Sequence, residues 1–378
     1  MRTNPILDRL GSYQLAELQE KARAMRAAGL PVVDFSIGDP REPTPPFIPA
    51  ALKAAVPEVS QYPTVSGLPE LRRAVADYLE RRFGVAVDPG RQILPTSGSK
   101  EAIFSAPLAF VDRDAGDLVA YGTPGYPVYE WGSLFAGAET RAIRLDGDFV
   151  LRAGDVPGWD RVKMLWICSP HNPTGATTGR EDLAALVDAC REHDVLLCSD
   201  ECYADIYEDE PPPSVLEVAG PGMENVIAFL SLSKRSGMTG YRSGAMVGDA
   251  AAIDILRRMR SSVGTAPAEF VQAAAVAAWS DDEHAARRRE VFAAKRRVLR
   301  PAFEEMGYEV VGSRSGIYLW VRVGDDVAAA SALLDGGVVV SPGRVFGPGG
   351  EGFLRLALVP DVEACERSVE VVRACLNP

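Results

Sequence analysis

The stretch Val226–Gly244, "VIAFLSLSKRSGMTGYRSG", decides how the rest of the chain is read. Its first five residues form an apolar run of β-branched and large side chains, the pattern of a buried strand. The run ends in Ser231, Ser233 and Lys234, and open α/β sheets bind ligands at such carboxyl ends. Lys234 and Arg242 then stand eight residues apart among serines and glycines. Three readings compete. The stretch is a solvated basic turn, the Ser-x-x-Lys of a serine acyl-transferase, or a lysine that holds a carbonyl cofactor covalently.

Similar strand-like runs occur upstream at Asp117–Tyr121, Glu139–Leu145, Val162–Cys168 and Val195–Cys198, with helical segments between them. They lead into "YGTPGYP", "CSPHNPTG" and "CSDECY", so turn and polar residues collect at the strands' ends. That pattern predicts a mostly parallel sheet flanked by helices. Leu68, Leu71, Val75, Tyr78, Leu79 and Phe83 fall on one helical face, with Pro69 near the start and Gly84 just past the end. Leu183, Leu186, Val187 and Cys190 mark a second helix. Beyond Thr265 a long charged helical region, Pro267–Met306, precedes the short strands "GIYLWVRV", "GGVVVSPG" and "GFLRLALV", which predicts a smaller α+β lobe. The expected layout is an N-terminal arm with part of the small domain at 1–42, a large domain at 43–265 and a small C-terminal domain at 266–378.

Composition narrows the function. The chain has 378 residues and a formal charge of −12, which argues against nucleic acid as a partner. No apolar stretch approaches the ~18 residues that span a bilayer, and the N-terminus lacks a signal peptide's apolar core. A cytoplasmic protein with reduced cysteines and no membrane partner is expected. Cys198 and Cys202 lack companions at zinc-like spacing and read as small buried hydrophobes, so no metal is expected. Arg287–Arg289 and Lys295–Arg297 read as the solvated face of a helix. Gly347–Gly352 satisfies G-x-G-x-x-G, but a strand pattern follows it where a dinucleotide site needs a helix. The acyl-transferase reading also needs S-D-N and K-T-G elements; no lysine here precedes Thr-Gly, and Ser199-Asp200 continues with Glu201.

The cofactor reading survives. A cofactor with an aldehyde, an aromatic nitrogen, a phenolic oxygen and a phosphate needs an amine, and a carboxylate that keeps the ring nitrogen protonated. Lys234 supplies the amine and Asp200 the carboxylate, while Tyr203 and Asn172 are donors for the phenolic oxygen. Tyr126 supplies a ring. Gly98, Ser99 and Lys100 precede a helical stretch whose backbone N–H groups can meet a phosphate, joined by Ser231, Ser233 and Arg242. Arg355 alternates with apolar residues in "FLRLAL" and is an inward-facing cation suited to clamping a carboxylate.

This ordered set resembles the pyridoxal-phosphate aminotransferases of fold type I, class I/II. "YPTVSGLPELRRAVADYL", "TSGSKEAIF", "SPHNPTG", "SDECYADIY" and "SLSKRSGMTGYRSG" fall in that family's order over nearly the whole chain. The resemblance implies a seven-stranded, mostly parallel sheet and pyridoxal 5'-phosphate held by Lys234. It implies Asp200 at the ring nitrogen, Asn172 and Tyr203 at the phenolic oxygen, and Tyr126 on the ring. Ser99, Lys100 (through its backbone), Ser231 and Arg242 would take the phosphate. Arg355 and Gly38 would meet the substrate carboxylate. Tyr62 would reach the phosphate of a neighbouring subunit, which implies a homodimer with shared sites. The departure is Tyr126, where aspartate aminotransferases carry tryptophan. Within the superfamily the chain is most similar to the N-succinyldiaminopimelate aminotransferases of lysine biosynthesis, through "NPILDRL", "SIGDPREPTP", "SDECYADIYEDE" and "AAWSDDEH". Glutamate and 2-oxoglutarate would be its partner pair. "GMTGY" matches class I/II enzymes in general, so the LL-diaminopimelate, aspartate and alanine types stay open, as does a β-carbon lyase.

Overall fold

The computed structural model describes residues 1–9 and 15–376; Leu10 of "NPILDRL" lies outside them. After two N-terminal helices, Ile6–Arg9 and Leu15–Ala27, comes the short strand β1 (Val33–Asp34), followed by β2 (Ile93–Thr96), β3 (Leu118–Thr123), β4 (Glu139–Arg144), β5 (Val162–Cys168), β6 (Leu196–Asp200), β7 (Val226–Ser231) and β8 (Gly244–Gly248). Among the described residues β2 to β8 form one sheet in the order β2-β8-β7-β6-β5-β3-β4. Only β8 runs against its neighbours in this sheet. The carboxyl ends of β2, β3, β5, β6 and β7 therefore share one edge.

Side chains alternate across the sheet, so successive residues enter different cores. Leu165, Ile167, Leu197, Ala228 and Leu230 join Leu71, Val75, Leu183, Leu186 and Ala278 of helices 69–83, 180–192 and 269–279. Their neighbours Met164, Trp166, Cys198, Ile227 and Phe229 join Ile103, Tyr129 and Leu256 from helices 99–105, 128–136 and 250–263. Both faces are thus covered, which is why β5, β6 and β7 read as nearly unbroken apolar runs. Helix 69–83 has Pro69 in its first turn and ends on Gly84 at φ 68°.

A smaller antiparallel sheet follows from β9 (Glu309–Val311), β10 (Tyr318–Arg322), β12 (Ser341–Pro342) and β13 (Phe353–Ala357), in the order β12-β13-β10-β9. The strand between, β11 (Val338–Val339), pairs in parallel with β1, so the N-terminal segment adds to this side. Phe35 lies in the same core as Leu319, Leu354 and Phe303. The expected boundary at residue 265 falls ahead of helix Glu269–Trp279, whose buried face belongs to the larger core. The charged helical region expected over Pro267–Met306 consists of two helices, Glu269–Trp279 and Glu283–Glu304, separated around Ser280–Asp282.

One expectation is overturned. The basic runs of helix 283–304 are not simply its wet face: Arg288, Lys295 and Arg296 are buried, Lys295 completely. Each cation finds acceptors from distant parts of the chain. Lys295 pairs with Glu42 and donates to the Leu358 carbonyl at 3.0 Å. Arg296 Nη2 donates to the Gly316 carbonyl at 2.7 Å, and Arg288 Nε to the Lys234 carbonyl at 2.9 Å. Burying a cation is tolerable only with such partners.

Candidate active site

The shared sheet edge sets the site. Tyr126 lies three residues past the end of β3, Asn172 four past β5, Tyr203 three past β6 and Lys234 three past β7. Thr96 at the end of β2 pairs across Gly244 with Ser231, which brings the Gly98–Ser99 turn beside the Ser231–Lys234 turn.

Lys234 donates through Nζ to the Gly38 carbonyl. Burial brings its ammonium down to about 8, and the charges of Arg355 and Arg288 work in the same direction against Asp39 and Cys202. An ordinary lysine titrates near 10.4, so this amine reaches its neutral, nucleophilic form far more readily. Asp200 is buried at the end of β6, and burial holds its carboxyl above the usual range despite two donors. Those donors are the Cys202 N–H at 3.2 Å and the Tyr129 hydroxyl at 2.7 Å. Tyr129 also stacks on Trp166, with ring centroids 5.2 Å apart, and meets Tyr126 edge-on at 5.7 Å.

On the small-sheet side, Arg355 lies between the rings of Tyr318 and Phe346, its Cζ 4.5 Å and 4.4 Å from their centroids. Its Nη1 donates to Asn172 Oδ1 at 3.1 Å and its Nη2 to the Ser36 carbonyl at 2.6 Å. Arg355 Nε is buried without a hydrogen-bond partner. The Tyr203 hydroxyl lies 2.9 Å from that of Tyr318.

At the opposite end Gly98 has φ +82°, and a Cβ there would stand 2.8 Å from Arg242 Cζ and nearer still to its Nη2. The guanidinium therefore lies directly on the Gly98 backbone. Ser99 Oγ is 3.0 Å from Cys202 Sγ, and Ser231 Oγ accepts from the Ser233 N–H at 3.1 Å.

The structure thus brings together Gly38, Gly98, Ser99, Tyr126, Asn172, Asp200, Tyr203, Ser231, Ser233, Lys234, Arg242 and Arg355. Lys100 is exposed just past Ser99, and Tyr62 is fully exposed. Sequence reasoning missed Tyr129 and Tyr318. Tyr129 follows Tyr126 by one helical turn, and Tyr318 shares a strand face with Trp320. Both signals were present but pointed equally to packing.

A pyridoxal phosphate fits these groups. A cation on a side-chain-free glycine, with serine hydroxyls around it, suits a phosphate; a buried carboxylate suits a protonated ring nitrogen; and a lysine near 8 suits an aldehyde.

Comparison with known proteins agrees. Residues 31–372 match the family described as aminotransferase class I and II. The chain belongs to this family. The class I and II aminotransferases use pyridoxal phosphate, and this chain has their fold type I architecture. It is 36% identical to an LL-diaminopimelate aminotransferase of Nitratidesulfovibrio vulgaris, across 96% of this chain and 97% of that one. Among solved structures, an aminotransferase from Neisseria meningitidis superposes with a TM-score of 0.91 at 32% identity, covering 99% of this chain and 100% of that one. A probable N-succinyldiaminopimelate aminotransferase from Thermus thermophilus gives 0.90 at 30%, covering 97% and 100%. Among the described residues no helix is long and apolar enough to cross a membrane.

Proposed function

We propose that this aminotransferase moves an amino group between a diaminopimelate-type amino acid and a 2-oxo acid, with 2-oxoglutarate and glutamate as the partner pair. The observation that carries the chemistry is the meeting of a readily deprotonated Lys234 with a buried Arg355 whose Nε lacks a partner. Bound pyridoxal phosphate supplies an aldehyde for the amino group and a ring that withdraws electrons from the substrate α-carbon. Lys234 would hold the cofactor, and its Nζ, as a neutral amine, would take up the substrate α-proton and carry it. Asp200 keeps the ring nitrogen protonated, Asn172 and Tyr203 donate to the phenolic oxygen, and Tyr126 covers the ring. Gly98, Ser99, Lys100 through its backbone, Ser231, Ser233 and Arg242 hold the phosphate. Arg355 and the Gly38 backbone orient the substrate carboxylate. Tyr62 contributes from the partner subunit of a homodimer, a reading supported by the full exposure of its ring together with nearby Val59.

For the substrate, the name of the Nitratidesulfovibrio relative favours free LL-diaminopimelate over the N-succinyl form that the sequence motifs put first. Charge supports the same order. Asp39 is exposed, yet its charge acts on Lys234, so it sits near the reaction centre. A carboxylate there suits the distal ammonium of the free amino acid and opposes the extra carboxylate of a succinyl group. Single amino acids added to the purified holoenzyme, with cofactor absorbance followed through one half-reaction, test both points. Fast amination of the cofactor by glutamate and LL-diaminopimelate, but not by the succinylated compound, is expected. Reversal of that preference would move the assignment to the succinyl substrate. Release of pyruvate and ammonia with no aminated cofactor would make the protein a lyase. Lys234→Ala should abolish the half-reaction.

A further inference from the structure

Tyr318 has no part in the assignments so far, yet four observations converge on it. It lies at the start of β10, opposite Ala357 of β13, and is buried. Its hydroxyl is 2.9 Å from that of Tyr203, with the two rings edge-to-face at 5.6 Å and 69°. The Arg355 guanidinium covers one face of its ring. Gly38 leaves room for its hydroxyl end, since a Cβ at that position would stand 2.5 Å from the Tyr318 oxygen. The ring is therefore fixed from three sides and delivers its oxygen to one place.

We infer that Tyr318 is a positioning residue that donates its hydroxyl hydrogen to Tyr203, leaving the Tyr203 hydrogen free for the cofactor's phenolic oxygen. This rests on the assignment of Tyr203 as a donor to that oxygen. Two hydroxyls share a single hydrogen bond, so one must act as donor and the other as acceptor. The cation against Tyr318 decides which. Burial, with a smaller push from Asp200, raises the pKa of both phenols, but Arg355 opposes that rise at Tyr318, whereas Tyr318 itself adds to it at Tyr203. The more acidic hydroxyl donates. A hydroxyl that accepts a hydrogen bond becomes a better donor in turn, so Tyr203 is both aimed and strengthened.

The test is a spectroscopic titration of holoenzyme with Tyr318→Phe, Tyr203→Phe and the double variant. Negative charge on the phenolic oxygen holds the proton on the Lys234 nitrogen bound to the cofactor. A donor to that oxygen weakens the hold and lowers the pH at which the visible band titrates. Tyr203→Phe should raise the midpoint by about 1–2 pH units, the loss of one hydrogen bond to a charged group. Tyr318→Phe should raise it by about 0.5 unit, the share carried by cooperative polarisation. The double variant should match Tyr203→Phe alone, because Tyr318 acts only through Tyr203. An unmoved midpoint in Tyr318→Phe beside a shifted Tyr203→Phe would overturn the inference, as would additive shifts, even if Tyr318→Phe melted earlier. An unmoved midpoint in Tyr203→Phe would instead remove the assignment of Tyr203, and the inference with it.

Discussion

Gly98→Ala is the substitution whose consequence follows most directly from the geometry. Two effects act at this position. The backbone sits at φ +82° and ψ 161°, a region essentially reserved for glycine, where an L side chain costs about 1–3 kcal/mol. The new Cβ would also stand 2.8 Å from Arg242 Cζ, inside any real contact. Arg242 is exposed and is held at Nη1 by one bond to the Thr239 carbonyl, 2.9 Å long. The guanidinium will therefore swing away before the backbone shifts. With it goes a charge-assisted bond to the cofactor phosphate worth about 1.5–3 kcal/mol, or roughly a 10- to 100-fold loss in pyridoxal-phosphate affinity. Gly84→Ala is the control: Gly84 has φ +68° and nothing within 4 Å of its would-be Cβ. It suffers the backbone strain alone. Urea unfolding should show both apoproteins destabilised, Gly98→Ala the more, because Gly84 (φ 68°, ψ 24°) lies in the milder left-handed helical region, while titration with pyridoxal phosphate should separate them in cofactor affinity. An affinity for Gly98→Ala within twofold of the parent, or equal losses in the two variants, would refute the placement of the phosphate against Arg242.

Cofactor capture by apoprotein should depend on pH through Lys234. With its pKa lowered by burial to about 8, the amine loses its proton as pH rises through that value. Roughly one molecule in ten carries the neutral amine at pH 7, against far fewer than one in a hundred for an ordinary lysine. The second-order capture rate followed by absorbance should climb to about pH 8 and then level; a rise continuing to pH 10 would contradict the reading. Tyr129→Phe removes the 2.7 Å donor from Asp200 and leaves a buried carboxylate short of a partner. The loss of about 1.5–3 kcal/mol should appear as a kcat lower by roughly 10- to 100-fold, with the KM for the amino donor moving less than threefold. A changed KM with unchanged kcat in steady-state assays would place Tyr129 elsewhere in the reaction.

The central strands were legible because a sheet covered on both faces leaves a continuous apolar run, as in Val162–Cys168 and Val226–Leu230. β2 and β8 were not. Ile93–Thr96 is four residues long with a proline inside it, and β8 begins and ends in glycine. Packing explains those glycines: a Cβ at Gly244 would stand 3.0 Å from Thr96 Oγ1, and one at Gly248 would meet the Val226 backbone. Only the neighbouring strands disclose that requirement. The misread basic helix has a similar cause. Arg288, Phe292, Lys295, Arg296, Leu299 and Phe303 share a buried stripe at helical spacing. The apolar members announce the stripe, but the charged ones are buried because Glu42, Leu358, Gly316 and the Lys234 carbonyl happen to meet them. Nothing local to residues 283–304 encodes those partners.

The same reasoning explains how one short segment governs the site. Residues 36–44, "SIGDPREPT", have little regular structure and would be dismissed as a loop on propensity. Yet the Ser36 carbonyl holds Arg355, the Gly38 carbonyl holds Lys234, and Thr44 Oγ1 donates to the Gly237 carbonyl at 2.7 Å, beside the Lys234 turn. Glu42 meets Lys295 and lies 3.5 Å from Arg288, which itself donates to the Lys234 carbonyl. The segment therefore links the lysine, carried by the large sheet, to the arginine, carried by the small one. Loss of any single contact leaves the others to hold the segment. Displacing it as a unit would separate Lys234 from Arg355 and leave two buried cations on helix 283–304 short of their carboxylate, a cost that falls on fold and chemistry together.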